Sequence, residues 1–480
     1  VGLSPESLPD RFERALEAIL VRVSICSASS DIPRTMAVAY SGGLDSSVLL
    51  HLSQRYAVAH GIRLLAFHVH HGLSPNADAW LNHCEAEAQR LGILFEARQV
   101  RIDNAARSGV EEAARTLRYA ALGDMCREHG AALLLTAHHL DDQAETILLQ
   151  LVRGSGVAGL SGMDSANTAP DLLGDPHLVM ARPLLDVSRA ELEEWGARVG
   201  IEHVEDESNA DVRYARNALR HGVMPQLAIN FPGFQERLAR TASHMQAAQR
   251  VLDEVAQADL AACSAGTCLE LERVRALSSE RFHNLFRHWL GRHGVRMPSA
   301  SWLAEMRAQL LEAKDDAQVC VLHPDCAIRR HRGKVYLTPR LDSGADALPQ
   351  EFIWQGQSSL DFPAFQGRLH FDVAPEGVDA TWLRKQALII RHRQGGDSVK
   401  LAANRPSRSM KQHFQALGIP AWERPFLPLV TVAGEVLYAA GIGMDCRHLK
   451  SGAGECIRLR WEHGWPASSL HTESLAKWRF

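Results

Sequence analysis

Ala37-Val38-Ala39-Tyr40-Ser41-Gly42-Gly43-Leu44-Asp45-Ser46-Ser47-Val48-Leu49-Leu50 joins a short apolar run to a Ser-Gly-Gly turn and then to a helix-like segment. Read as strand, turn and helix, this is the layout of a phosphate cradle. Two glycines permit positive φ and bring the backbone close to an anion. The amides of Gly43 to Ser46 then point at that anion from a helix start, where the helix dipole also favours negative charge. No lysine stands in the loop, which excludes the Walker type with its Gly-Lys-Ser/Thr.

Outward from this stretch, strand-like and helix-like segments alternate from about Met36 to Leu219, as in a βαβ series. Strands are expected at Met36–Tyr40, Leu64–Val69, Leu94–Val100, Ala132–Thr136 and Leu178–Ala181. Capping boxes at Ser108-Gly109-Val110-Glu111 and Ser188-Arg189-Ala190-Glu191 start two helices, and Ser74-Pro75 starts a third. Crossovers of this length predict a doubly wound parallel sheet, α/β in class, whose ligands bind beyond the carboxyl ends of the strands. After Phe231-Pro232-Gly233 the pattern is helical to about Leu311, with two short strands at Val319–Leu322 and Lys334–Leu337. A segment of β character follows from Leu369 to Met444. The expected organisation is a catalytic nucleotide-binding domain over 1–225, a mainly helical domain over 226–342 and a small α+β domain over 346–465.

The 480 residues are 46% apolar and 22% charged with a net charge of −4, so any basic surface must be local. No apolar stretch is long enough to cross a membrane, and no secretory signal opens the chain. Nine scattered cysteines without a CxxC pair argue for reduced thiols in the cytoplasm and against a zinc ribbon or iron–sulfur site.

A second polar loop, Thr136-Ala137-His138-His139-Leu140-Asp141-Asp142-Gln143-Ala144-Glu145-Thr146, again follows an apolar strand and opens a helix. Carboxylates beside a triphosphate repel it unless a divalent cation intervenes, and Mg2+ held by one or two carboxylates meets that need. A helix dipole alone accounts for Asp141 and Asp142, but not for two adjacent histidines, which can donate to phosphate or act as a general base. His68 and His70 form a His-x-His pair, yet zinc lacks a third ligand at usual spacing. Arg115 and Arg118 neighbour each other on one helix face, and Arg213, Arg216 and Arg220 follow Asp206-Glu207-Ser208-Asn209. Solvated charge is the ordinary meaning of such arginines; beside a phosphate they form a clamp.

The six residues Ser41, Gly42, Gly43, Leu44, Asp45 and Ser46 resemble the PP-loop of the ATP pyrophosphatases. With His68–Leu73, Arg115 and Arg118-Tyr119, Ala137–Thr146, Arg153–Gly156, Gly159–Met163, Arg182–Leu185, Ser208-Asn209 and Arg216-Asn217, the chain resembles the tRNA(Ile)-lysidine synthetase family. Arg391–Asp397 and Gly418–Arg424 resemble that family's terminal domain. His70 and Glu207 depart from its pattern, which often has Asn or Asp at the first and proline at the second. The resemblance implies that ATP adenylates the C2 oxygen of the wobble cytidine in tRNA(Ile) with anticodon CAU. The ε-amine of free L-lysine then displaces AMP to give lysidine. It further implies Asp45 and Asp142 in Mg2+ binding or catalysis, His138 near the reacting phosphate, and Arg115 and Arg216 on phosphate or adenylate. Asp141 or Asp142 is then the candidate base. RNA-binding candidates in the last domain are Arg391, Arg393, Lys400, Arg405, Arg408, Lys411 and Arg424, with Trp422 and His413 available for packing or stacking. The family resemblance allows a homodimer, for which the residues themselves give no reason. A PP-loop tRNA thiolase would require catalytic or cluster-binding cysteines. A non-catalytic nucleotide-dependent RNA-binding protein would not need the acidic pair beside the histidines.

Overall fold

The computed structural model describes residues 6–27, 34–70, 72, 74–101, 110–205, 213, 215–314, 317–340 and 347–463. The motif residues His71, Leu73 and Asp206–Asn209 and the capping box at Ser108 lie outside them. Two compact units divide the chain, Val1–Val251 and Leu252–Phe480.

In the first unit, helix α1 (Leu8–Ser27) precedes β1 (Thr35–Ala39), α2 (Leu44–His60), β2 (Arg63–His70), α3 (Ala77–Arg90), β3 (Leu94–Gln99) and α4 (Val110–His129). The chain continues through β4 (Leu133–Leu135), α5 (Leu140–Val152), α6 (Val157–Leu160), β5 (Ala166–Thr168), α7 (Pro170–Leu173), β6 (Val179–Ala181) and α8 (Arg189–Val199). Helix α9 (Ala215–Ala218) passes through a π-turn, Leu219–Val223, into α10 (Met224–Asn230), and α11 (Phe234–Cys263) follows. The sheet order is β3-β2-β1-β4-β6-β5. The five expected strands are all present and pair in parallel. β5 is additional, an antiparallel edge strand on β6. Alternate residues of the strands feed two cores: Met36, Val38, Leu64 and Leu133 pack on one face, and Ala37, Leu65, Phe67 and Leu134 on the other.

β1 lies between β2 and β4, so successive crossovers leave it in opposite directions. That makes the β1–β4 junction a topological switch point, where the loops after the two strands part and leave a crevice. Both polar motifs of the sequence are those two loops.

The second unit begins at Leu252, within α11, and continues with β7 (Ser264–Ala265), β8 (Cys268–Glu270), α12 (Leu271–Arg275), α13 (Ser279–Arg292) and α14 (Ala300–Glu312). β9 (Cys320–Leu322), β10 (Ala327–His331) and β11 (Lys334–Thr338) complete a sheet ordered β7-β8-β11-β10-β9. The two strands expected from sequence are therefore β9 and β11, with β10 inserted between them. β10 carries Arg330, which is buried and donates to the carbonyls of Leu310, Ala313 and Lys314, capping the end of α14. Charge at a core position hid this strand from the hydrophobic pattern.

Beyond it come β12 (Gln350–Phe352), β13 (Ser359–Phe362), β14 (Gly367–Asp379), α15 (Ala380–Leu383), β15 (Leu388–Arg391), β16 (Ser398–Val399), β17 (Arg408–Ser409) and α16 (Met410–Leu417). β18 (Leu429–Val432), β19 (Glu435–Ala439), β20 (Gly443–Met444) and β21 (Lys450–His463) end the described chain. They form sheets β12-β15-β18-β19-β20 and β13-β14-β21 and the hairpin β16-β17. The β character thus begins earlier and ends later than the 369–444 read from sequence. Among the described residues no helix is long and apolar enough to cross a membrane.

Candidate active site

Gly42 takes φ +86°, and a Cβ there would stand 2.8 Å from Cys84 Sγ and 3.1 Å from Val204 Cγ2. Only glycine fits both the dihedral and the space. Its carbonyl accepts from Val204 N–H at 3.0 Å, and the Ser47 hydroxyl reaches it at 3.3 Å. Gly43 is the N-cap of α2 without a side-chain cap, which leaves the first amides of that helix for a ligand. Ser46 braces the turn: its hydroxyl accepts from Ser41 N–H at 3.2 Å and donates to Gly43 O at 2.9 Å.

Asp45, in the first turn of α2, points toward the second loop. Its Oδ2 accepts from Arg189 Nη1 at 2.8 Å and lies 3.7 Å from His139 Nε2. Among the described residues its Oδ1 is buried without a partner. Burial pushes the Asp45 carboxyl up, His139 and Arg189 pull it back, and Asp142 pushes it up again; the net direction is upward.

His139 is the N-cap of α5 and is buried. Three carboxylates surround its ring: Asp45, Asp142 Oδ2 at 3.4 Å from Nε2, and Asp141 Oδ2 at 3.6 Å from Nδ1. Burial disfavours the imidazolium, but the three acids outweigh it and raise the ring above the usual histidine range. His138, the histidine singled out from sequence, stands in the opposite field. Burial lowers it, Asp142 resists, and Arg182, Arg216 and Arg115 lower it further, to about 3. Two identical neighbours are thus pushed in opposite directions.

Asp142 Oδ2 accepts the His139 N–H at 3.1 Å, and Oδ1 receives Arg216 Nη2 at 3.1 Å and Arg220 Nη2 at 3.3 Å. Burial works against its ionised form, and His139 and Arg216 more than compensate, so it titrates low. One helical turn on, Glu145 is buried to 1% exposure and receives Arg216 Nε at 2.6 Å and Arg220 Nε at 2.7 Å. It is the floor under both guanidiniums. The π-turn that begins at Leu219 separates the two arginines; such wide turns recur at functional sites.

Asp141 turns away to structure. Its Oδ2 accepts the Arg189 N–H at 2.8 Å, at the start of α8, and its Oδ1 accepts from Gln235 at 3.3 Å. Burial raises its carboxyl, but His139 and the Arg189 amide hold it down at about 2. The Ser188–Glu191 capping box of α8 is present, and Arg189 beside it brings a guanidinium to Asp45.

Arg115 and Arg118 lie on α4 with their guanidiniums over the Tyr119 ring, 5.0 and 5.3 Å from its centroid. Arg182 is buried, donating to Asp164 O and Asn167 Oδ1, each at 2.7 Å. His68 Nδ1 bonds the Tyr40 carbonyl at 3.0 Å and His70 Nε2 meets Asp78 at 3.1 Å, so both have structural partners. The buried Cys84 and Cys126 thiols are pushed up to about 12 by burial, which keeps them from being thiolates.

Sequence reasoning named Asp45, Asp141, Asp142 and Arg216 and noted Arg220; the fold brings all five together. It noted His139 with His138 and Glu145 with Asp141, without giving either a separate role, and it did not single out Arg189 as a site group. Glu145 was readable, since it shares a face of α5 with Asp141 and Asp142. The contact of Arg189 spans 144 residues and left no local signal.

In the second unit the seven basic candidates separate into two sets. Arg391 is half-buried in a double ion pair with Asp397, Nη1–Oδ2 2.9 Å and Nη2–Oδ1 2.7 Å. Arg424 gives Nε and Nη2 to the Ile419 carbonyl at 3.0 and 2.8 Å. Those two side chains are engaged within the fold. Arg393, Arg405, Arg408 and Lys411 are exposed, and Lys400 is half-buried. His413 is buried and bonds Val399 O at 2.9 Å. Trp422 packs among His331, Tyr336 and Arg329, so neither ring is a free stacking platform.

Residues 11–227 match the family model of the PP-loop domain, 269–336 that of the TilS substrate binding domain, and 388–461 that of the TilS substrate C-terminal domain. A tRNA(Ile)-lysidine synthase from Ralstonia nicotianae is 40% identical over 463 residues, covering 94% of this chain and 97% of the relative. The protein of that name from Burkholderia pseudomallei is 40% identical over 478 residues, covering 92% and 95%. That from Methylococcus capsulatus is 38% identical over 414 residues, covering 85% and 91%.

Proposed function

Because this chain belongs to the tRNA(Ile)-lysidine synthase family, an ATP-dependent ligase family, we propose that it joins free L-lysine to the wobble cytidine of tRNA(Ile) with anticodon CAU through an adenylated intermediate. The observation that carries this reading is the switch-point crevice, with glycine-lined amides on one side and paired arginines on the other.

The chemistry needs an activated oxygen, because the C2 oxygen of cytidine is a poor leaving group until adenylated. Amides at the start of α2 bind the departing pyrophosphate. Arg216 and Arg220, held forward by Glu145, stabilise charge growing on the reacting phosphate. Arg115 is a further phosphate or adenylate contact. The bare, buried Oδ1 of Asp45 fits Mg2+, with Asp142 as the second carboxylate. When bound, the ion supplies charge neutralisation between these acids and the phosphates. Lysine sheds a proton as its ε-amine attacks C2. Asp141 and Asp142 are the two candidate acceptors, and both carboxylates already receive hydrogen bonds on both oxygens.

The test is direct: labelled lysine, ATP and a tRNA(Ile) transcript with anticodon CAU. The expected result is lysine incorporated into RNA with AMP and pyrophosphate released. ATP binding without lysine incorporation would overturn the proposal.

Segments 226–342 and 346–465 are proposed to hold the tRNA, with Arg393, Lys400, Arg405, Arg408 and Lys411 on its backbone. Changing Arg393, Arg405 and Arg408 together to Glu should weaken tRNA binding. It should also flatten the salt dependence of log K by roughly 0.7–0.9 per lost phosphate contact. Arg391→Glu should instead lower the melting temperature through Asp397. Filter binding over a salt series reads the first effect and calorimetry the second. An unchanged salt slope in the triple variant would move the RNA contact elsewhere.

A further inference from the structure

Thr136 ends the strand that carries the histidine loop, is 4% exposed, and has no part in the chemistry described so far. Its N–H donates to the Ala181 carbonyl at 2.9 Å. Its hydroxyl lies 3.3 Å from that carbonyl and 3.0 Å from His138 Nδ1. A hydroxyl has one proton. With that proton on Ala181 O, the threonine oxygen can only accept from the ring, so Nδ1 must carry the imidazole's proton. The reverse arrangement, hydroxyl to Nδ1, places a proton on Nε2. Burial opposes positive charge on this ring, as do the guanidiniums of Arg182, Arg216 and Arg115, and together they prevail over Asp142, which favours it. The Ala181 carbonyl can only accept, so the one arrangement that makes both contacts of the threonine oxygen hydrogen bonds has the hydroxyl proton on that carbonyl and the ring proton on Nδ1. Among the described residues Nε2 has no hydrogen-bond partner.

We propose that Thr136 locks His138 as the Nδ1–H tautomer, leaving Nε2 as a fixed acceptor for a substrate N–H. His138 then does not donate to phosphate. Its ligand is a nitrogen-bound hydrogen, and the reaction offers two: the exocyclic amine of the wobble cytidine and the ε-amine of lysine. This rests on the reading of the crevice as the lysidine-forming site. Thr136 acts through His138 and is a positioning residue.

Full-length protein labelled with ring-15N histidine tests the tautomer at pH 7, with His138→Asn identifying the signal. A protonated Nδ1 and bare Nε2 are expected. Thr136→Val should redistribute the tautomers and Thr136→Ser should restore them. A protonated Nε2, or a spectrum indifferent to Thr136→Val, overturns the proposal. Kinetics then name the donor. Pyrophosphate release is measured without lysine on tRNA carrying cytidine or 2-pyrimidinone (cytosine without its amine) at the wobble position. If cytidine is the donor, the wild type loses about tenfold on removal of the amine and His138→Asn loses nothing further. If lysine is the donor, that ratio is equal in both proteins, while His138→Asn raises the KM for lysine and slows lysidine formation about tenfold. A His138→Asn variant that changes neither quantity, in the presence of a wild type that makes lysidine, refutes the acceptor role alone. A wild type that makes no lysidine refutes the underlying reading.

Discussion

Asp45→Asn should reduce AMP release by roughly a hundred- to a thousandfold, the usual cost of deleting one preorganised electrostatic group from a reaction site. The same change should leave the fold as stable as before or more so. The argument runs through the environment of the carboxylate. Burial raises its pKa, His139 and Arg189 recover only part of that, and Asp142 adds repulsion. Since the folded-state pKa lies above the unfolded value, folding is opposed by this group once it ionises. The opposition is absent below the unfolded pKa, near 4, and grows as pH rises through the folded one. An amide of the same shape removes that penalty, so the melting temperature of the variant relative to wild type should improve from pH 4 upward. Asp45→Ala removes the same charge and should likewise end AMP release. Parallel melts and AMP assays across pH separate the two effects. Full AMP release in either variant would dismiss the proposed metal role of Asp45. A collapsed melting temperature in Asp45→Asn would show that the charge serves folding instead.

Four of the five parallel strands were readable because each is a continuous apolar run feeding both cores, a pattern a buried strand has to keep, whereas β3 is an edge strand carrying Glu96, Arg98 and Gln99. β5 was not readable, being the three residues Ala166-Asn167-Thr168 at a sheet edge, too short for any period. Arg330 concealed β10 because the hydrophobic pattern treats arginine as surface, while here it serves as a buried cap on α14. At the site, sequence located the His138-His139 pair but not the division of labour within it. That depends on which ring enters the carboxylate nest, and the N-cap geometry of α5 puts His139 there. In the basic cluster near the C-terminus, the partner of Arg391 was missed for a local reason. Asp397 follows Arg391 by six residues and closes a tight loop through it, a pairing that composition alone passes over.

Glu145→Ala should damage both stability and catalysis, and Glu145→Gln should divide them. Two guanidiniums rest on this one carboxylate, Arg216 through Nε at 2.6 Å and Arg220 through Nε at 2.7 Å. Removing a partner from a buried ion pair costs about 3–5 kcal/mol. The arginine side chains retain 31% and 33% exposure, so water relieves part of this, and roughly 2–3 kcal/mol is expected for alanine. With the floor gone, both arginines are left sharing Asp142 Oδ1, and Arg216 keeps one further bond to the Asp142 backbone carbonyl at 3.4 Å. Their pull would shift from a fixed, shared geometry to a competition for one oxygen, at the expense of the phosphate they are proposed to hold. Glutamine keeps the volume and one acceptor oxygen, so its stability loss should be smaller than that of alanine. Its remaining NH2 faces a guanidinium and cannot accept, so one arginine loses its anchor. AMP release should therefore fall in Glu145→Gln by at least tenfold, a loss of about 1.4 kcal/mol in transition-state stabilisation. Chemical denaturation read beside single-turnover adenylation makes the comparison. If Glu145→Gln adenylates at the wild-type rate, the anchored-arginine account of phosphate stabilisation is wrong, however much stability either variant loses.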